Sequence, residues 1–255
     1  MTASLIELLM RGDALLWQGL VVFLRVGSMM SLMPAFGEQS VPVRVRLVLG
    51  ICFTMIVAPA VPAVEPSEGV FMRLLLTETL VGAMLGIGLR MFILAISTAG
   101  SMAAQATSLA QIFGGAATEP MPAIGHILVV SALALAVLSG LHIRLSELLI
   151  LSYTPFPAGT LLTSADFSQW GVAQVARAFS LAFTLAAPFI IISVLYNLTL
   201  GVINRAMPQL MVAFVGAPVI TAGGLILLFL LAPLMLTIWH DTFVGFIDNP
   251  LGALK

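Results

Sequence analysis

The chain has 255 residues, of which 60% are hydrophobic and 8% charged, and its net charge is -1. A soluble domain carries about 25% charged residues, so ten basic and 11 acidic side chains are too few for the wet surface that a soluble fold of this size keeps. With no cluster of cations to meet phosphates, a nucleic-acid-binding role is excluded, and the expectation is an all-α, membrane-class protein whose apolar surface is covered by lipid or by other apolar subunits.

Residues 1–11 lack the basic start and small-residue cleavage site of a secretory signal, so the first apolar segment is expected to be retained and used for insertion. A spanning helix needs about 20 mostly apolar residues. By that measure six segments follow in chain order, at about 15–33, 47–64, 70–99, 127–151, 173–203 and 210–239, the third and fifth overlong. Met33-Pro34-Ala35-Phe36-Gly37 closes the first and Pro59, Pro62 and Pro66 the second, because proline cannot continue the hydrogen-bond ladder. Gly114, Gly115, Pro120 and Pro122 mark a loop after the third segment, and Pro155, Pro157 and Gly159 open a polar stretch to about Ser168. Pro208 separates the last two segments, and Pro188, Pro218 and Pro233 predict kinks or breaks inside them. No shift in composition divides the chain, which reads as one domain over 1–255.

The charges orient the chain poorly. If all six segments span, Arg44, Arg46 and Arg205 fall on one side and Arg11, Arg73, Arg144 and Arg177 on the other, so the positive-inside rule hardly discriminates. That is expected where helices do not all cross a bilayer in the simple way.

Arg25, Glu78 and Arg90 lie within apolar runs. A charge at bilayer depth costs about 2.5–3.5 kcal/mol on insertion scales, so it is paired or faces water. Two readings stand: an ion or proton path, or interhelix ion pairs that fix packing. No carboxylate–histidine chain accompanies them, which favours packing. Arg144 and Glu147, three apart, are expected to pair locally. His126, His142 and His240 have no metal-site spacing. Cys52, the only cysteine, is expected to be a small buried hydrophobe. No phosphate loop, nucleophile elbow or paired catalytic carboxylates are visible, so the chain is read as a non-enzyme with no cofactor and no metal.

Gly82 and Gly86 form a GxxxG step with Gly88 following, and Ala213, Gly216, Ala217 and Gly223 extend a small-residue pattern into the last segment. Such steps let helix backbones approach closely. The stretch 105–122 is small and polar between two apolar segments. It is read either as a surface loop or as a loop entering a central channel, with Ile112 or Phe113 obstructing and Gly114-Gly115 as a hinge.

Several stretches together resemble the FliR family of flagellar biosynthetic proteins, whose relatives serve virulence type III secretion. The clearest is Gly201-Val202-Ile203-Asn204-Arg205-Ala206-Met207-Pro208-Gln209-Leu210, followed by Gly216-Ala217-Pro218. Pro42-Val43-Arg44-Val45-Arg46 resembles the family's early Pro-x-Arg-x-Arg, and Glu78 with Gly82 and Gly86 its Glu-x-x-x-Gly-x-x-x-Gly helix. His142 and the Ser152 to Gly159 stretch fall where the family has a similar His and a Ser…Pro-x-Gly turn. Met211 stands where Asn is usual, Thr107 where Gly is common, and 114–118 replace an aspartate before Glu119-Pro120.

The resemblance implies a single export-gate domain of kinked helices packed as hairpins in a helical hetero-oligomer in the flagellar basal body of the inner membrane. The implied partners are FliP and FliQ, with FlhB and FlhA nearby, and unfolded flagellar proteins pass through the centre. On this resemblance Gln105, Ser108, Gln111, Ile112, Phe113, Gly114, Gly115, Glu119 and Pro120 are candidate plug residues. Candidate packing residues are Arg44, Arg46, Glu78, Gly82, Gly86, Arg90, Arg205, Pro208, Gln209, Gly216 and Pro218. The rival readings are a secondary transporter of small solutes and a purely structural basal-body scaffold.

Overall fold

The computed structural model describes residues 2–38, 41–65, 69–107, 123–160, 163–207, 212–250 and 252. Seven α-helices are present among them and no strand: α1 (Thr2–Leu32), α2 (Val43–Val57), α3 (Val70–Thr107), α4 (Ala123–Leu138), α5 (Leu141–Leu151), α6 (Ser164–Ala206) and α7 (Val212–Asp248), with a 3-10 turn at Ala58–Ala60. Five helices are long and apolar enough to cross a membrane, and six crossings result if α4 and α5 form one broken span. The chain is an all-α membrane protein.

The helix ends follow from local chemistry. Beyond α1, Gly37 N–H donates to the Met33 carbonyl at 2.9 Å and Ala35 adopts a positive φ of 67°, closing the first helix at the Met33-Pro34 step. After α2, Pro59 stands at the first turn of the 3-10 helix, where its missing N–H leaves no donor unpaired. The Gln18 amide then holds this exit, donating to the carbonyls of Ala58 and Pro62 and accepting from Val64 N–H. Arg46 ties the entry to α2 by donating to the carbonyls of Glu38 and Val41.

Four sequence expectations are corrected here. The apolar run 127–151 is not one helix: it breaks before Gly140, which sits at φ 82°, a conformation that L side chains resist. The run reads as one apolar segment because leucine and isoleucine continue on both sides of the break, although α5 also carries His142, Arg144 and Glu147. The third helix reaches Thr107, so Gln105 and Thr107 belong to its last turn and not to a loop. Ala103 and Ala104 favour helix there, and Thr107 Oγ1 bonds back to the Ala103 carbonyl. Helix α6 begins at Ser164, inside the stretch expected to be polar loop. Cys52 is exposed, because α2 buries only the stripe Gly50, Phe53, Thr54 and Val57. Pro188, Pro218 and Pro233 lie within α6 and α7 without interrupting them, each removing one ladder bond.

The residues group into two compact units. One comprises Met1–Arg90, Val137–Gln174 and Val244–Lys255. Its core contains Val22, Met29, Leu85, Leu145 and Phe246, and Trp170 Nε1 donates to the Pro250 carbonyl at 2.9 Å. The other comprises Met91–Ala136 and Val175–Phe243. There Trp239 stacks on Phe243 with ring centroids 5.0 Å apart, and its indole N–H donates to the Phe92 carbonyl at 2.8 Å. In this unit α3 and α4 meet where a Cβ on Gly100 would strike the backbone of Gly125.

Candidate functional site

The first unit is organised around a buried charge pair. Arg25 on α1 and Glu78 on α3 are both 0% exposed. Arg25 Nε donates to Glu78 Oε2 at 2.9 Å and Nη2 to Glu78 Oε1 at 3.2 Å, a bidentate arrangement that matches the planar guanidinium to the carboxylate. The remaining donors reach the turn that follows α5. Nη1 donates to Ser152 Oγ at 2.9 Å and Nη2 to the Phe156 carbonyl at 2.8 Å. Glu78 Oε1 also accepts from Gly159 N–H at 3.1 Å.

This turn is built for the task. Ser152 Oγ donates to the Leu149 carbonyl at 2.6 Å, which leaves its lone pairs for Arg25. Gly159 sits at φ 76°, turning its N–H toward the carboxylate. Tyr153 covers the guanidinium, whose carbon lies 3.6 Å from the ring centroid, a desolvated cation–π contact. The Tyr153 hydroxyl is itself buried without a hydrogen-bond partner. Burial pushes its phenol above the ordinary tyrosine range, and Glu78 adds to the rise while Arg25 opposes it.

Small residues bring the two charges together. A Cβ on Gly82 would collide with the Arg25 carbonyl and Ser28 Oγ, and one on Gly86 would lie 2.8 Å from the Met29 carbonyl. The GxxxG step is therefore the seat on which α1 rests, one turn from Glu78. Arg90, further along α3, donates to the Leu32 carbonyl at 3.4 Å, placing a cation at the C-terminal end of α1, where the helix dipole favours it.

The other sequence candidates scatter. Arg44 and Arg205 are exposed. Arg46 serves the entry to α2, as above. Gly216 is buried beside Tyr196, whose hydroxyl donates to the Gly216 carbonyl at 2.7 Å and so joins α6 to α7. Pro218 is exposed on α7, and Gln105 is exposed at the end of α3. Ser108, Gln111, Ile112, Phe113, Gly114, Gly115, Glu119, Pro120, Pro208 and Gln209 lie outside the described residues. Arg144 pairs with Asp248 at 3.4 Å and not with Glu147 as expected, because a partner on α7 lies within its reach. Sequence reasoning found Arg25, Glu78 and the glycines but not the roles of Ser152, Tyr153, Phe156 and Gly159. The Ser…Pro-x-Gly turn was the signal that pointed to them.

The chain matches the model of the bacterial export proteins, family 1, over residues 16–245. It is 32% identical to the flagellar biosynthetic protein FliR of Caulobacter vibrioides across 89% of this chain and 93% of that protein. The chain belongs to the FliR family. Identity to FliR of Escherichia coli is also 32%, over 83% of each chain, and to FliR of Bacillus subtilis 27%, over 88% of this chain and 89% of that one. The family match covers both units. FliR-family membership together with the apolar helices makes the chain a membrane component of the flagellar export apparatus.

Proposed function

We propose that this chain is a non-enzymatic subunit of the flagellar type III export gate in the bacterial inner membrane. In this reading it assembles with FliP and FliQ, next to FlhB and FlhA, and lines part of the channel through which unfolded flagellar proteins pass. The observation that carries the reading is the family match over 16–245, joined to near-full-length similarity to flagellar biosynthetic proteins.

The segment 105–122 is the proposed plug. It begins on the last turn of α3, where Gln105 is exposed, and its Ile112 and Phe113 are the bulky side chains that would obstruct a channel. Arg44, Arg46, Arg205, Pro208, Gln209, Gly216 and Pro218 are proposed to serve packing and assembly, as are Glu78, Gly82, Gly86 and Arg90.

The rival reading, a small-solute transporter, draws less support. A transporter keeps its intramembrane charges at a site that opens to water, whereas Arg25 and Glu78 are sealed from solvent and satisfy each other. Deleting 113–117 in the assembled complex tests the proposal. An ion leak or altered secretion with the complex intact is expected; unchanged conductance and secretion in an intact complex would remove the plug.

A further inference from the structure

The first turns of α6, residues 164–174, belong to the first unit and are fastened to it at few points. Ser164, Ala165, Phe167, Ser168, Gln169 and Val172 are exposed, and among the described side chains of this stretch only Trp170 and Gln174 are buried. Ser168 Oγ bonds within its own turn, donating to the Ala165 carbonyl at 2.9 Å. Among the described side chains, the one hydrogen bond that leaves the stretch is that of Trp170 Nε1 to the Pro250 carbonyl.

Trp170 is the anchor. It is 2% exposed, and it seats because α3 carries a glycine opposite it. A Cβ on Gly88 would lie 3.1 Å from Trp170 Cζ2 and would strike the Phe246 ring.

Two neighbours of Trp170 work against it. Gly171 lies inside the helix, yet a Cβ there would meet nothing, so no close approach requires a glycine. What remains is its cost, because a glycine in a helix interior gives up more backbone freedom than alanine does. Gln174 stands one turn beyond Trp170 on the same face. It is 2% exposed, and its amide nitrogen and oxygen are both buried without a hydrogen-bond partner. Burying an unmet amide is unfavourable, and water meets it as soon as the turn lifts. The seated stretch therefore carries a penalty at positions 171 and 174 that the lifted stretch does not.

We propose that residues 164–174 form a strap that lifts from the first unit and reseats without global unfolding. Trp170 is its latch, and Gly171 and Gln174 set the balance toward release. Lifting uncovers the socket made by Gly88 and Phe246, while the preceding turn stays pinned by Arg25 to the Phe156 carbonyl and by Glu78 to Gly159 N–H. Local opening of this kind shows as fast amide exchange confined to one element.

The test is hydrogen–deuterium exchange, read by mass spectrometry, on the full chain in detergent. Amides of 168–174 are expected to exchange at least about tenfold faster than those of 80–90 on α3. Gly171→Ala is expected to slow the strap about fivefold, and Gln174→Met, which keeps the side chain's length but removes the amide, about tenfold. Trp170→Phe, which lacks the donor to the Pro250 carbonyl, is expected to speed it about fivefold. Exchange over 80–90 stays the same in all three variants. Wild-type protection of 168–174 equal to that of 80–90 would overturn the proposal. So would a Gln174→Met variant that exchanges no more slowly than wild type, since the amide is then already met by an internal water, or a Gly171→Ala variant with an unchanged rate.

Discussion

Arg25 and Glu78, 53 residues apart in sequence, share two hydrogen bonds with neither side chain exposed to solvent. The pair is locked in place by a third element, since Ser152, Phe156 and Gly159 fill the remaining positions around it. Ions buried this way add little net stability compared with apolar packing, yet removing one partner leaves the other charge uncompensated. The pair therefore acts as a requirement for correct assembly of α1, α3 and the turn.

Glu78→Ala is expected to cost about 3–5 kcal/mol and to deplete the chain from membranes. Replacing both partners at once, with Arg25→Met and Glu78→Leu, should restore part of that level. Immunoblots of membrane fractions check this. A double variant no better than Glu78→Ala would show that the hydrogen bonds to the turn, not the uncompensated charge, dominate.

The glycine seat makes a second prediction. Gly82→Val forces the new side chain into the Arg25 carbonyl and Ser28 Oγ, and overpacking costs about 1–3 kcal/mol, occasionally more. Gly223→Ala on α7 meets open space and is expected to leave the chain's level unchanged. The contrast in steady-state level between the two variants is the measurement.

Much of this arrangement was legible before the fold was known. Charged residues inside apolar runs stand out, so Arg25 and Glu78 were visible, and Gly82 and Gly86 at helical spacing pointed to close packing. The partners of the pair were hidden, because Ser152 lies 127 residues from Arg25 and periodicity carries no information over that distance. The break at Gly140 was hidden for a different reason: leucine and isoleucine continue past it into α5, and a glycine within an apolar run does not by itself reveal the positive φ that ends α4. The exposure of Cys52 and the Arg144–Asp248 pair depend on which helix packs where, which composition does not encode.

Tyr153 predicts a pH signature. Its phenol titrates above the ordinary value because burial disfavours the phenolate. A raised folded-state value means its contribution is fully present below the unfolded value of about 10 and is lost as pH rises through the folded one. The chain has two tyrosines. Absorbance titration should show a phase later than pH 10 that Tyr153→Phe abolishes; persistence of that phase in the variant assigns it elsewhere. Since the hydroxyl has no partner, Tyr153→Phe should leave stability unchanged or slightly raised, whereas Tyr153→Ala loses the cation–π contact, about 2 kcal/mol when desolvated.

Trp239 tests the second unit. Trp239→Phe keeps an aromatic ring against Phe243 but removes the donor to the Phe92 carbonyl. The expected loss is about 1 kcal/mol, read as a modest drop in the temperature at which the detergent-solubilised chain aggregates. A variant that aggregates at the same temperature would show that the bond contributes nothing net.

Assignment to the export gate is tested most directly in cells lacking this chain. Secretion of flagellar proteins into the medium and co-purification of FliP with FliQ are measured together, with and without the gene restored. Loss of secretion with a defective FliP–FliQ complex, both recovered on restoration, is the predicted result. Normal secretion in its absence would contradict the account.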